Sequence, residues 1–143
     1  MAKYISPDEL ATIMKSDKVP MKDFCVVDVR DDDWQGGNIK GSHNSPSHGF
    51  LARLDDLVAQ TKDIPMVIFH CTLSQVRGPK AASMSFAVQI YAETRDLLEA
   101  EGEDKAHDVR ILQGGFQDFQ AKYKDDPELV ENWKHDVWGE LHM

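Results

Sequence analysis

Apolar residues fall into two kinds of block along this chain. Some are nearly continuous: Phe24-Cys25-Val26-Val27-Asp28-Val29, Met66-Val67-Ile68-Phe69 and Val109-Arg110-Ile111-Leu112. Short runs of this kind, rich in β-branched residues, predict strands covered on both faces, as in a parallel sheet. Lys3-Tyr4-Ile5 is a shorter candidate for a first strand. Other blocks recur every three or four positions: Leu10, Ile13 and Met14; Phe50, Leu51, Leu54, Leu57 and Val58; Ala81, Ala82, Met84, Ser85, Val88 and Ala92. These predict helices with one apolar face, and their alternation with the strands predicts an α/β domain.

Boundary residues sharpen the pattern. Ser6-Pro7-Asp8-Glu9 reads as a helix start, with Ser6 as cap, Pro7 at the first helical position and Glu9 closing a capping box. Asp126-Pro127-Glu128 has the same style and predicts a final helix. Trp133, Val137, Trp138 and Leu141 would form its docked face, or, as the lesser alternative, a partner surface. Residues 36–46 read as a loop anchored by Ile39, residues 62–65 end the second helix, and the charged segment 101–108 reads as a loop. Leu97 and Leu98 either extend the third helix or start another.

At 143 residues the chain is expected to be one domain, 1–143, with a real core. Its formal charge of −9 argues against nucleic acid as a partner. An anionic ligand would have to be held by local design, against the overall field. Two cysteines supply neither a disulfide framework nor a zinc cluster. His43 and His48 lie in or beyond a loop without metal-ligand spacing and read as surface residues, so no metal is expected. No apolar run reaches the ~20 residues of a membrane span, and residues 1–10 are too polar for a secretory signal. The expectation is a cytoplasmic protein, or a nuclear one, with reduced thiols and no membrane partner.

The chemistry concentrates in His70-Cys71-Thr72-Leu73-Ser74-Gln75-Val76-Arg77-Gly78-Pro79, placed between the second long apolar run and the third helix. Ligands of open α/β sheets sit at the carboxyl ends of strands. A short loop there can turn several N–H groups into one concavity, and the following helix adds its positive end. That field favours a thiolate at Cys71. The planar fork of Arg77 matches two oxygens of a tetrahedral anion. Nucleophile and clamp in one loop predict covalent transfer chemistry on phosphate or a group shaped like it. In this reading Cys71 attacks, and the backbone N–H groups of Thr72, Leu73, Ser74, Gln75, Val76 and Arg77 hold the equatorial oxygens. The Ser74 side chain can donate as well. His70 is expected to support the loop from beneath. Lys80 either attracts the anion or reaches solvent. Asp28 and Arg30 are expected to form a structural pair or, as the lesser alternative, to support the site, with Asp28 the supporting residue. Asp31-Asp32-Asp33 reads as a solvated turn or, less so, as the source of a proton donor. Gln113 and Phe116 rim the pocket, or Phe116 belongs to the core.

The residues His70-Cys71, Ser74 and Arg77-Gly78-Pro79 resemble the reactive loop of the rhodanese-fold phosphatases, meaning the cell-division-cycle dual-specificity phosphatases and the related eukaryotic arsenate reductases. Two flanking blocks agree. Asp28-Val29-Arg30 with residues 36–44 is similar to the first rhodanese signature, and residues 109–119, with Leu112, Gly114-Gly115 and Phe116, are similar to the last. The resemblance implies a three-layer α/β/α sandwich around a central, mainly parallel five-stranded sheet. It also implies a phosphatase acting through a thiophosphate intermediate on a phosphorylated protein. Sulfurtransferase rhodaneses resemble the chain too, but their loop is one residue shorter, which disfavours that activity. The cell-cycle phosphatases carry glutamates inside the loop, where this chain has Thr72 and Val76. Without such an acid, esters with poor leaving groups lose an effect typically worth ~10²–10⁴ in rate. Arsenate brings its own protons, so an arsenate reductase drawing electrons from glutathione or a glutaredoxin is the alternative. A non-catalytic rhodanese-like binding module is disfavoured by the presence of both Cys71 and Arg77. The resemblance further places a second, bond-forming cysteine where this chain has Val29. Cys25 lies four residues earlier, roughly 13 Å along a strand, so no disulfide to Cys71 is expected.

Overall fold

The computed structural model describes residues 3–30, 36–46, 48–71, 79–99 and 108–134. Within the helix that starts at Pro79, the side chains of residues 79–83, 85, 98 and 99 lie outside that description. The elements run in the order β1 (Lys3–Ile5), α1 (Pro7–Met14), β2 (Phe24–Asp28), β3 (Asn38–Ile39), β4 (His43–Asn44), a 3₁₀ turn (Leu51–Arg53), α2 (Leu54–Thr61), β5 (Met66–His70), α3 (Pro79–Glu99), β6 (Asp108–Leu112), α4 (Gly115–Tyr123) and β7 (Val130–Glu131).

Five strands form the central sheet in the order β1-β6-β5-β2-β4, and every neighbouring pair is parallel. The strand that leads into the reactive segment, β5, is the middle one. Period-two alternation sends its residues to opposite faces. Val67 and Phe69 join Cys25, Val27 and Val29 of the β2 segment in a core with α2 and α3, through Leu54, Leu57, Val58, Met84, Val88 and Tyr91. Ile68 joins Phe24 and Val26 on the other face, with Leu10 of α1 and Phe116 and Phe119 of α4. The expected α/β/α layering is therefore what the chain adopts. Helix α1 begins as anticipated: Glu9 N–H donates to Ser6 Oγ (3.1 Å), and Ser6 N–H donates to Glu9 Oε1 (3.2 Å).

Four expectations need correction. The segment read as a loop over residues 36–46 contains β3 and β4, and β4 is the fifth strand of the main sheet. Two-residue strands carry no periodicity, so only their partners reveal them. Leu51 is 63% exposed rather than part of the apolar stripe. It lies in the 3₁₀ turn, whose three-residue period breaks phase with α2. A helix, α4, occupies 115–123, where no helix was expected. Its Gly-Gly start and polar body hide the spacing of Phe116 and Phe119, both fully buried.

The final helix does not form at Asp126-Pro127-Glu128. Asp126 Oδ1 takes the Glu128 N–H (3.0 Å), and the Asp126 carbonyl takes the N–H groups of Leu129 and Val130 (3.0 Å each). After that single turn the chain becomes β7, antiparallel to β3 with Val130 opposite Ile39. Burial of Leu129, Val130 and Ile39 in one cluster outweighs the local helix signal. Val137, Trp138 and Leu141 lie outside the described residues. No helix among the described residues is long and apolar enough to cross a membrane.

Candidate functional site

The carboxyl ends of β4, β2 and β5 meet at one edge, with Asp28 in register with both Asn44 and His70. Parallel pairing continues one residue further: Val29 N–H donates to the His70 carbonyl at 2.9 Å. Cys71 follows His70, half-buried, and packs against the α2/α3 core that includes Val29. His70 points the opposite way, toward α4. Strand alternation thus separates the imidazole from the thiol of its neighbour, so His70 acts on Cys71 through the backbone.

Two donors converge on the Cys71 carbonyl oxygen. His70 Nδ1 lies 2.9 Å away and Phe116 N–H 3.0 Å away. A carbonyl only accepts, so the imidazole proton sits on Nδ1. His70 is fully buried, and its Nε2 has no hydrogen-bond partner among the described residues. Burial is the main cause that holds its pKa below the ordinary imidazole range. Asp28 and the bond to Cys71 push the other way, and Arg30 adds to the lowering. The ring is therefore neutral at pH 7. The bond from Nδ1 holds the carbonyl of Cys71, and the rest of the expected loop lies outside the described residues.

Asp28 and Arg30 pair as anticipated. Asp28 is fully buried and Arg30 is 8% exposed. Arg30 Nε donates to Asp28 Oδ1 (3.0 Å) and Oδ2 (2.9 Å), and Nη2 donates to Oδ2 (2.6 Å). Nη2 also reaches the Gly37 carbonyl at 2.7 Å. The guanidinium lies 4.6 Å from the Phe116 ring centre, and that ring stacks on His70 with centroids 6.2 Å apart. Phe116 is therefore a core residue that forms the wall between Arg30 and His70. Asn44 closes the edge, its Nδ2 donating to the carbonyls of Asp28 (3.1 Å) and Arg30 (3.2 Å). The roles of Phe116 and Asn44 depend on partners far away in sequence; the core alternative for Phe116 was legible, while no local signal indicated Asn44.

Other expectations divide. Cys25 is a buried free thiol whose pKa burial pushes up to about 12, and it stands in register with Val67, four residues short of Cys71. His43 is half-buried on β4, while His48 and Gln113 are exposed. Thr72, Leu73, Ser74, Gln75, Val76 and Arg77 lie outside the described residues, as do Asp31, Asp32, Asp33 and the Lys80 side chain. Among the described residues no three of His, Cys, Asp or Glu converge as a metal site would require.

Comparison with known proteins fits this arrangement. Residues 6–122 match the Rhodanese-like domain family. The chain is similar to a dual specificity phosphatase of Schizosaccharomyces pombe, 36% identical over 135 residues, covering 90% of this chain and 95% of that protein. It is likewise similar to an arsenate reductase of Oryza sativa subsp. japonica, 32% identical over 118 residues, covering 82% and 81%. Among solved structures, a yeast protein tyrosine phosphatase of the rhodanese family superposes with a TM-score of 0.70 at 29% identity, covering 96% of each chain.

Proposed function

This chain belongs to the rhodanese-like domain family, and from that premise we propose that it is a cysteine-dependent phosphatase of the protein-tyrosine or dual-specificity type. The observation that carries the reading is the placement of Cys71. It follows the carboxyl end of the central strand and opens the Cys71-to-Arg77 segment. Its carbonyl is held from two sides, and its side chain is half-buried against the core. A nucleophile needs this fixed starting point, because misplacement by about 1 Å can cost roughly a hundredfold in rate.

The Cys71 thiolate attacks the phosphorus of a phosphomonoester. An S–P bond forms, the ester P–O bond breaks, and the departing oxygen takes up a proton. Water then attacks phosphorus, releasing inorganic phosphate and restoring the thiolate. Arg77 and the N–H groups of Thr72, Leu73, Ser74, Gln75 and Val76 hold the three remaining oxygens. The substrate is a phosphorylated protein or a small oxyanion, and the enzyme works in the cytoplasm or nucleus.

A second reading is favoured by one feature of the loop, the absence of a carboxylate between Cys71 and Arg77, and by the similarity to an arsenate reductase. In it Cys71 displaces an oxygen from arsenate, which leaves as water. A glutathione thiol then takes up the Cys71 sulfur as a mixed disulfide while two electrons pass to arsenic, releasing arsenite. Glutaredoxin or a second glutathione reduces that disulfide.

The test compares three turnovers, each with the wild type and Cys71→Ser: an aryl phosphate, arsenate with glutathione, and thiosulfate. The proposal expects aryl phosphate hydrolysis that the substitution abolishes. Faster arsenate reduction would select the second reading. Inactivity of the wild type on all three would overturn both.

A further inference from the structure

Four side chains behind Cys71 form a closed arrangement whose middle member has no role in the chemistry above. Arg30 occupies both oxygens of Asp28, takes the Gly37 carbonyl and lies over Phe116. Phe116 stacks on His70 and gives its N–H to the same Cys71 carbonyl that His70 bonds. His70 Nε2 faces Asp28 Oδ2 at 3.9 Å, outside hydrogen-bond range.

That last distance matters because a neutral imidazole carries one proton and two places for it. Nδ1 faces an acceptor, the Cys71 carbonyl. Nε2 faces a carboxylate, ordinarily the stronger acceptor. The proton would move to Nε2 if Asp28 were free to receive it, and Cys71 would lose one of its two donors. Arg30 prevents this. Its fork saturates the carboxylate and holds it back from the ring, and its positive charge opposes a second proton on His70. Among the described residues the charged groups facing the ring are Asp28 at the end of β2 and Arg30 just beyond it, while Cys71 meets it through its backbone carbonyl. Helix α4 presents apolar Phe116.

We propose that Arg30 is a positioning residue of the reactive site: by occupying Asp28, it keeps the His70 proton on Nδ1 and so fixes the carbonyl of Cys71. The proposal rests on the reading of Cys71 as nucleophile, yet its central claim concerns a tautomer and can be measured without any substrate.

The experiment combines ¹⁵N spectra of histidine-labelled protein with kinetics, for the wild type, Arg30→Met and the double variant Asp28→Asn/Arg30→Met. His70 resonances are assigned by their loss in His70→Asn. The wild type should show an Nδ1–H tautomer at pH 7. In Arg30→Met the proton should move to Nε2, or the ring should become doubly protonated, with kcat on aryl phosphate falling roughly tenfold to a hundredfold and KM changing little. The double variant removes both buried charges, so it guards against misfolding of the single one. It should return His70 to Nδ1–H and recover part of the rate. Alkylation of Cys71 by iodoacetamide should follow the same order.

A wild-type Nε2–H tautomer overturns the proposal, whatever the variants do. So does an Arg30→Met protein that is folded and slow but keeps the wild-type His70 tautomer, since Arg30 would then be merely structural. If the wild type hydrolyses no phosphate, the functional reading fails, while the spectra and the alkylation rates still decide the role of Arg30.

Discussion

Asp28 and His70 stand opposite each other on neighbouring strands, a buried carboxylate oxygen 3.9 Å from a buried imidazole nitrogen, and no hydrogen bond joins them. Burial makes the folded protein resist protonating His70 despite that carboxylate, while the unfolded chain takes that proton near the ordinary value of 6.5. Where the unfolded state binds more protons, stability rises with pH. The His70 contribution should thus be intact above pH 6.5 and diminish as pH falls below it toward the lowered folded value. Urea denaturation across pH 7.5 to 5 should give a shallower loss for His70→Asn than for the wild type. Equal slopes would show that His70 does not carry the effect.

The two cysteines should differ sharply toward alkylating reagents. Cys25 is 1% exposed with its thiol pushed up to about 12, whereas Cys71 is half-buried at the sheet edge. The thiolate is the reactive form, so native protein at pH 7.5 should incorporate one equivalent of iodoacetamide, at Cys71. Peptide mapping checks this. Labelling of Cys25 at a similar rate would contradict the burial seen here.

Val29 and Cys71 follow the register pair Asp28–His70 and share the same core face. Adjacent strands lie about 4.8 Å apart, within the ~4.4–6.8 Å over which two cysteine Cα atoms can be bridged. Val29→Cys should therefore form a disulfide with Cys71 under mild oxidation, abolishing turnover until dithiothreitol restores it. The wild type, whose second thiol is Cys25, should form no internal bond. Mass spectrometry of the non-reduced digests distinguishes the two.

Gly37 has φ +114°, and an added Cβ would lie 2.9 Å from both the Glu131 carbonyl and Trp133 Cα. Neither backbone can yield easily, because Lys134 N–H bonds the Gly36 carbonyl (3.2 Å) and Glu131 pairs with Asn38 across β3 and β7. Gly37→Ala should cost about 1–3 kcal/mol by backbone strain alone, read as a lower urea midpoint. Since the Gly37 carbonyl holds Arg30, kcat should fall as well. A stable variant with full activity would contradict both points.

Arg95 is 1% exposed on α3 and donates to the carbonyls of Lys62 (2.9 Å) and Ile64 (2.7 Å) and to Tyr91 Oη (3.2 Å). It ties the end of α2 to α3. Arg95→Met keeps the apolar stem but strips two carbonyls of a charged donor, an effect of roughly 1.5–3 kcal/mol for each hydrogen bond to a charged group. A drop in midpoint without any change in the activity of the folded fraction is the expected outcome.

Much of the site's skeleton was readable from local pattern. The apolar runs ending at Val29 and Phe69 and the capping box at Ser6 depend on neighbours a few residues away, and each appears within a residue of where the pattern put it. The Asp28–Arg30 pair is local too, since two residues apart at a strand end suffice for the fork. Phe116 was legible only as an ambiguity between rim and core. Its role between Arg30 and His70 exists because β5, the β2 segment and α4 meet, and no spacing rule reports that meeting. Arg95 reads as a surface residue on a helix until α2 brings the carbonyls of Lys62 and Ile64 beside it.

By itself the sequence determined the runs that become β1, β2, β5 and β6 and the capped start of α1, because those follow from the period of apolar residues and from short-range capping. Tertiary structure alone decided that β4 completes the sheet, that residues 126–131 form a turn and a short strand instead of a helix, and that His70 at the end of β5 and Cys71 just beyond it face opposite ways. The reason is that hydrogen bonds and burial between segments far apart in the chain outweigh local preferences of a few tenths of a kcal/mol per residue.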